Sequence, residues 1–224
     1  QSTTSGLSYA MAGSLMTPGA ISGLTSVPKG TNGLVYSVSL VTGATSYTWS
    51  VPSGFTIMSG QGTNSIKVNY GCSAANGNIT VTATNSCETT AASSLAVTVV
   101  STLPTPGTIA GSPAPFEGSS VNYYVIPVIG AYTYNWSAPA GASLVSGAGT
   151  SSVYYNFECG ASAGNISVTV SNSCITAGTP GTLAIVPTSA SPIGTLGAIT
   201  ENTGSGVNSR IYSVTQIGAA QYNW

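Results

Sequence analysis

The chain has no histidine and no aspartate, and its 224 residues include only three Lys or Arg and four acidic residues, all Glu. Charged side chains make up 3% of it, where an ordinary domain has roughly 25%. Each shortage excludes something. Nucleic-acid binding by counterion release needs clustered cations, and Lys29, Lys67 and Arg210 are scattered, so nucleic acid is not expected as a partner. A Ser-His-Asp triad cannot be assembled, and acid–base work would rest on Glu88, Glu117, Glu158 and Glu201 alone. Calcium clips would need several carboxylates in one place. No apolar run approaches the ~18–20 residues of a membrane helix, and no basic-then-apolar leader opens the sequence. The expectation is a soluble, non-catalytic chain without cofactor, metal or membrane span in this stretch.

What is present is 42% hydrophobic content, enough for one or two ordinary cores, beneath a surface of Ser, Thr, Asn, Gly and Ala. The chain also repeats itself. "GATSYTWSVPSGF" at 43–55 returns as "GAYTYNWSAPAGA" at 130–142, and "GAAQYNW" stands at 218–224. Aligned on Trp49, Trp136 and Trp224, the copies keep one register: "TPGAISG" and "TPGTIAG", "SGQGTNSIKVNY" and "SGAGTSSVYYNF", "GNITVTATNSC" and "GNISVTVSNSC". A period of about 87 residues is a whole small domain, not a solenoid turn. The expected division is 1–16 as the last strand of a preceding unit, 17–104 and 105–190 as full units, and 191–224 as the start of another. Leu7, Tyr9 and Met11 align with Leu95, Val97 and Val99, so the sequence reads as a window on a longer array.

Inside a unit the period is two. Ile79, Val81 and Ala83 alternate with Thr80, Thr82 and Thr84, as half-buried strands do. Gly and Pro punctuation separates runs near 33–41, 45–51, 55–59, 63–70, 77–84 and 93–100, with a short first strand near 19–23. Seven short strands with one Trp on the third give an all-β fold of tandem immunoglobulin-like sandwiches. Trp49, Trp136 and Trp224 are expected to fill the ~10 Å space between sheets, rather than to serve as sugar-stacking platforms.

The ordered set "PGxIxG … GAxxYxWxxPxG … GxGTxSIxVNY … GNIxVxATNSC … LAVTV" resembles the PKD-like, Ig-like repeats of very long Bacteroidota surface proteins, gliding-motility adhesins among them. The resemblance spans essentially the whole chain and implies an extracellular, cell-surface role. One place departs: such repeats often carry a Cys in a "VCxG" phrase after the first strand, and here "SVPKG" and "APFEG" stand there.

Four cysteines, Cys72, Cys87, Cys159 and Cys174, sit at equivalent positions of the two full units. Pairing within a unit meets a difficulty, because the strand between Cys72 and Cys87 rises about 23 Å and a disulfide needs β-carbons about 4 Å apart. The arrangement suggests an inter-unit bridge, Cys72 to Cys174, with Cys159 reaching forward and Cys87 backward to neighbouring units. Intra-unit bridges through folded-back loops, or free thiols, are the alternatives. Zinc ligands come in closer pairs than these.

Glu88 and Glu158 each adjoin a Cys, yet their repeat equivalents are Ile175 and Gly71, so both are expected to be solvated loop residues. "NIT" (78–80), "NWS" (135–137) and "NIS" (165–167) fit the glycosylation pattern and are read as ordinary strand surface. The function expected is a non-catalytic, adhesive or structural stalk, whose partners are neighbouring repeats or copies of itself in a filament. Strand addition by residues 1–16 to another molecule is the alternative assembly. A polysaccharide-binding module is the alternative function, with Tyr70, Tyr123, Tyr124, Tyr154 and Tyr155 as its candidate aromatics.

Overall fold

Alternation of apolar and polar side chains sends every second residue of a strand to one face, so each unit can bury one side of two sheets against each other. The computed structural model describes residues 14–176, 178–189, 200–203 and 210–213. In the first unit the strands are β1 (Ser26–Pro28), β2 (Leu34–Ser37), β3 (Ser46–Ser50), β4 (Phe55–Ser59), β5 (Ser65–Tyr70), β6 (Gly77–Thr84) and β7 (Ser93–Val100). One sheet has the order β1-β7-β6-β3 and the other β2-β5-β4. The core between them includes Trp49, Ile66, Val68, Tyr70, Ile79, Val81 and Val97.

The second unit repeats the plan with β8 (Ser120–Tyr124), β9 (Thr133–Ser137), β10 (Ala142–Ser146), β11 (Ser152–Phe157), β12 (Gly164–Ser171) and β13 (Gly181–Ile185). Its sheets run β13-β12-β9 and β10-β11-β8. Both units are therefore all-β sandwiches, and every pairing inside them is antiparallel except at the opening segment. A further hairpin pairs β14 (Thr200–Thr203) with β15 (Arg210–Ser213). Leu7, Tyr9, Met11 and Trp224 lie outside the described residues.

The first strand differs from expectation. Residues 19–23 form only a bridge, Ser22 with Ser37, on the sheet of β2. The chain then crosses to the opposite sheet, where β1 runs parallel to β7 with Ser26 opposite Thr98. Gly23 marks the crossing, because a β-carbon there would lie 2.2 Å from the Tyr36 ring. The second unit does the same through bridges Ala110–Tyr124 and Phe116–Thr188, the latter parallel. A segment split between two sheets shows no period-two run long enough to read from sequence.

Tyr placement also corrects the sequence reading. Tyr70, Tyr123 and Tyr155 belong to the cores, and only Tyr124 and Tyr154 of the candidate aromatics face outward. Tyr70 Oη hydrogen-bonds Tyr36 Oη, which in turn donates to Leu24 O at 2.7 Å. Burial raises both phenols' pKa, and for Tyr70 the bond to Tyr36 adds to the rise.

Candidate functional site

The chemistry of this chain lies where the two units meet. From the first unit come the turn after β1, with Pro28, Lys29, Gly30 and Thr31, and the loop after β5 that carries Cys72. From the second come the linker residue Leu103, the turn at Gly130, and the turn Asn172-Ser173-Cys174 after β12.

Each piece is shaped locally. Thr31 Oγ1 donates to Pro28 O at 2.7 Å and closes the first turn, and Gly30 supplies the positive φ of 78° that the turn requires. Asn172 Oδ1 accepts from Cys174 N and Ile175 N, both at 2.8 Å, an Asx turn that presents the Cys174 side chain. Asn85 does the same in the first unit, accepting from Cys87 N and Glu88 N at 2.9 Å.

Across the junction Cys72 and Cys174 form a disulfide with Cα atoms 5.1 Å apart. The Asn172 amide lies beside it and donates to Lys29 O of the first unit and to Gly130 O of the second, 2.8 Å each. The Tyr132 hydroxyl accepts from Asn32 N at 2.6 Å. Packing is close enough to demand glycine twice. A β-carbon at Gly130 would stand 2.5 Å from Thr31 Oγ1, and one at Gly30 would stand 2.9 Å from Asn172 Oδ1 and from Cys174 Sγ. The linker adds stiffness: only Ser101 and Thr102 separate β7 from Leu103, which is buried in the second core, and Pro104 and Pro106 follow.

The other predicted site residues lie elsewhere. Cys87 and Cys159 are free and exposed. Trp49 is buried and Trp136 half-buried, each donating its indole N–H at 2.8 Å, to Thr63 O and Thr150 O. Glu88 is not a solvated loop residue: its carboxylate accepts from Leu15 N and, at 3.2 Å, from Ser14 Oγ. It thereby caps the segment entering the first unit. In the second unit Ile175 takes this place and belongs to the same core as Leu103. Sequence reasoning missed Asn172, Gly130 and Tyr132, although the recurrence of Asn-Ser-Cys and of Gly43, Gly130 and Gly218 at fixed offsets was the signal available for two of them.

PKD-like domains match the chain twice, over residues 14–97 and 102–185. The chain belongs to the PKD-like domain family. No curated protein matches it. Among solved structures, these PKD-like units are similar to a chimeric titin Z1Z2 functionalized with a KLER exogenous peptide from decorin, at 14% identity. That alignment covers 77% of this chain and 99% of that one with a TM-score of 0.37. Murine CEACAM1b is 13% identical over 75% of this chain and 99% of its own, TM-score 0.32. Surface layer protein SbsC, domains 4–9, is 15% identical over 85% of this chain and 34% of that chain, TM-score 0.27. PKD-like domains are typically non-catalytic binding or structural modules, and no enzymatic family is indicated.

Proposed function

We propose that these PKD-like units form a stretch of an extracellular stalk or filament on a bacterial surface, serving adhesion or gliding by holding a functional end away from the cell. The observation that carries this reading is the junction itself. Two sandwiches joined by a flexible linker would swing freely. Here a disulfide, a shared Asn amide and two enforced glycines restrain one against the other. A Ser/Thr/Asn surface with few charges suits the role, since away from the glutamates its contacts change little with salt or pH.

Pulling single molecules from their ends tests the reading. The disulfide shields 102 residues of sequence separation from the applied force. Reduction should therefore lengthen the fully extended chain by about 350 Å at ~3.4 Å per residue. Electron micrographs of the same chain should show a narrow range of inter-unit angles that broadens with reductant or in Cys72→Ser. A contour length unchanged by reductant, or a range of angles as broad before reduction as after, defeats the proposal.

A further inference from the structure

The two outer ends of the pair carry the same parts as the inner junction, separated rather than joined. We infer that they are complementary half-joints, Asn85 and Cys87 on one and Phe116 and Cys159 on the other, each built to close head to tail on a further unit of this kind, which a second copy of this chain supplies. The inference rests on the stalk reading and names the partner that extends it.

The backbone at both ends is already set. At the far end of the second unit, Gly118 has φ 77° where Gly30 has 78°. Ser119 Oγ donates to Phe116 O at 2.6 Å, as Thr31 Oγ1 does to Pro28 O at 2.7 Å. Glu117 N donates to Thr188 O at 3.0 Å, as Lys29 N does to Val100 O. At the near end of the first unit, the Asn85 turn holds Cys87 as the Asn172 turn holds Cys174. Gly43 there lies against Leu15 as Gly130 lies against Leu103, with β-carbon distances of 3.4 and 3.3 Å.

What covers them differs. Thr31 is 2% exposed and Gly30 and Pro28 are buried beneath the next unit, while Gly118 is exposed and Phe116 is 63% exposed. Gly130 is buried and Gly43 exposed. Among the described residues the Asn85 amide has no acceptor, whereas the Asn172 amide has two. Superposing the roles puts the Asn85 amide of one copy on Glu117 O of the other, Phe116 over the bare Gly43, and Cys87 against Cys159. A head-to-tail contact of this kind adds copies one after another, and it builds an open filament where its rotation does not close a ring.

The bond forms by exchange with a small-molecule disulfide such as oxidised glutathione. The Cys87 and Cys159 thiols become one disulfide, and two electrons and two protons pass to the oxidant, which leaves as two thiols. Charge opposes the approach: Glu117 and Glu158 face one side and Glu88 the other, where the inner junction has Lys29, Gly71 and Ile175. Closure should therefore speed up between about 10 mM and about 1 M salt, as the screening length falls from ~30 to ~3 Å.

The test is reoxidation of the whole chain in a glutathione buffer, with non-reducing electrophoresis and peptide mapping. The expected result is a ladder of oligomers whose cross-link joins Cys87 to Cys159, with Cys72–Cys174 intact within each chain. Cys87→Ser and Cys159→Ser should each leave monomer only. Asn85→Asp keeps the turn's acceptor and removes the donor, and at high salt it should slow the ladder several-fold. Dimers that survive either Ser substitution, thiols that stay free while Cys72–Cys174 forms, or an Asn85→Asp rate equal to the parent's would each overturn the inference. If the ladder fails while reductant still loosens the inner junction, this inference falls and the stalk reading stands; if the inner junction is also insensitive, the stalk reading falls.

Discussion

Trp49 and Trp136 occupy equivalent places on β3 and β9 and donate the same indole hydrogen bond, yet Trp49 is 3% exposed and Trp136 only half-buried. The two places also differ in a neighbour. In the first unit the Gln61 side chain lies along β3, accepting from Trp49 N at 3.3 Å and donating to Trp49 O at 3.1 Å. Ala148 stands at that place in the second unit and can do neither. The cores diverge in a second way: the Tyr36–Tyr70 hydroxyl pair of the first unit becomes Tyr123 with Phe157, whose rings meet edge-on at 6.2 Å. One repeated phrase thus closes its sandwich by two different means, a polar cover with a phenol pair, and an open Trp edge with an aromatic contact.

The largest effect expected from breaking this comparison is at the tryptophans. Trp49→Ala should destabilise the first unit by about 3–5 kcal/mol, and Trp136→Ala the second by about 2, because part of its ring is already in water. Hydrogen exchange read peptide by peptide assigns each loss to its own unit. Equal losses would mean that the difference in burial has no energetic weight.

Alkali separates the units next. Burial pushes the Tyr123 phenol up to about 12 and raises that of Tyr155 in the second unit, and those of Tyr36 and Tyr70 in the first. The folded state holds these protons more tightly than the unfolded chain, whose phenols titrate near pH 10, so their contribution is complete below about pH 10 and is lost as pH climbs toward 12 and beyond. Each unit holds two such groups, but only in the first are they in contact, where the bond to Tyr36 raises Tyr70 further, so the first unit should open at lower pH than the second. Tyr70→Phe, which copies the second unit, should cost within about 1 kcal/mol at neutral pH and shift the first unit's alkaline opening upward. A steady amide-protection profile across pH 9–12 would remove this account.

A modest effect is expected at the cover. Gln61→Ala should cost about 0.5–1.5 kcal/mol and shift Trp49 emission to the red, while Ala148→Gln should move the second unit the other way. If Trp emission stays fixed in both variants, something other than Gln61 hides Trp49.

Much of the sandwich was legible. The alternation in β5, β6, β11 and β12 is strict because both sheets pack on one face only, and the buried residues fall on every second position. The split opening strand was not legible, since three residues of β1 and one bridge leave no period to detect. At the junction, strand length alone places Cys72 and Cys87 toward opposite ends of β6, so the cysteines could be reasoned about as distances. Asn172 could not, because an Asn in a loop looks the same whether it caps its own turn or reaches another unit. Glu88 was misread for a related reason: its partner, Leu15 N, is 73 residues away and makes no local pattern.

The Asn172 amide touches the carbonyls of Lys29 and Gly130, backbone groups both. Backbone carbonyls are the one feature every residue shares, so a joint that reads them does not depend on what decorates the neighbouring unit. Side chains around it are then free to drift, as Lys29 and Glu117 already differ at equivalent places. Units of this kind can be duplicated, deleted or exchanged without redesigning the joint, provided that the Asn-x-Cys turn, the two glycines beside it and the cysteine that answers Cys174 are kept. Length becomes a matter of copy number rather than of new structure.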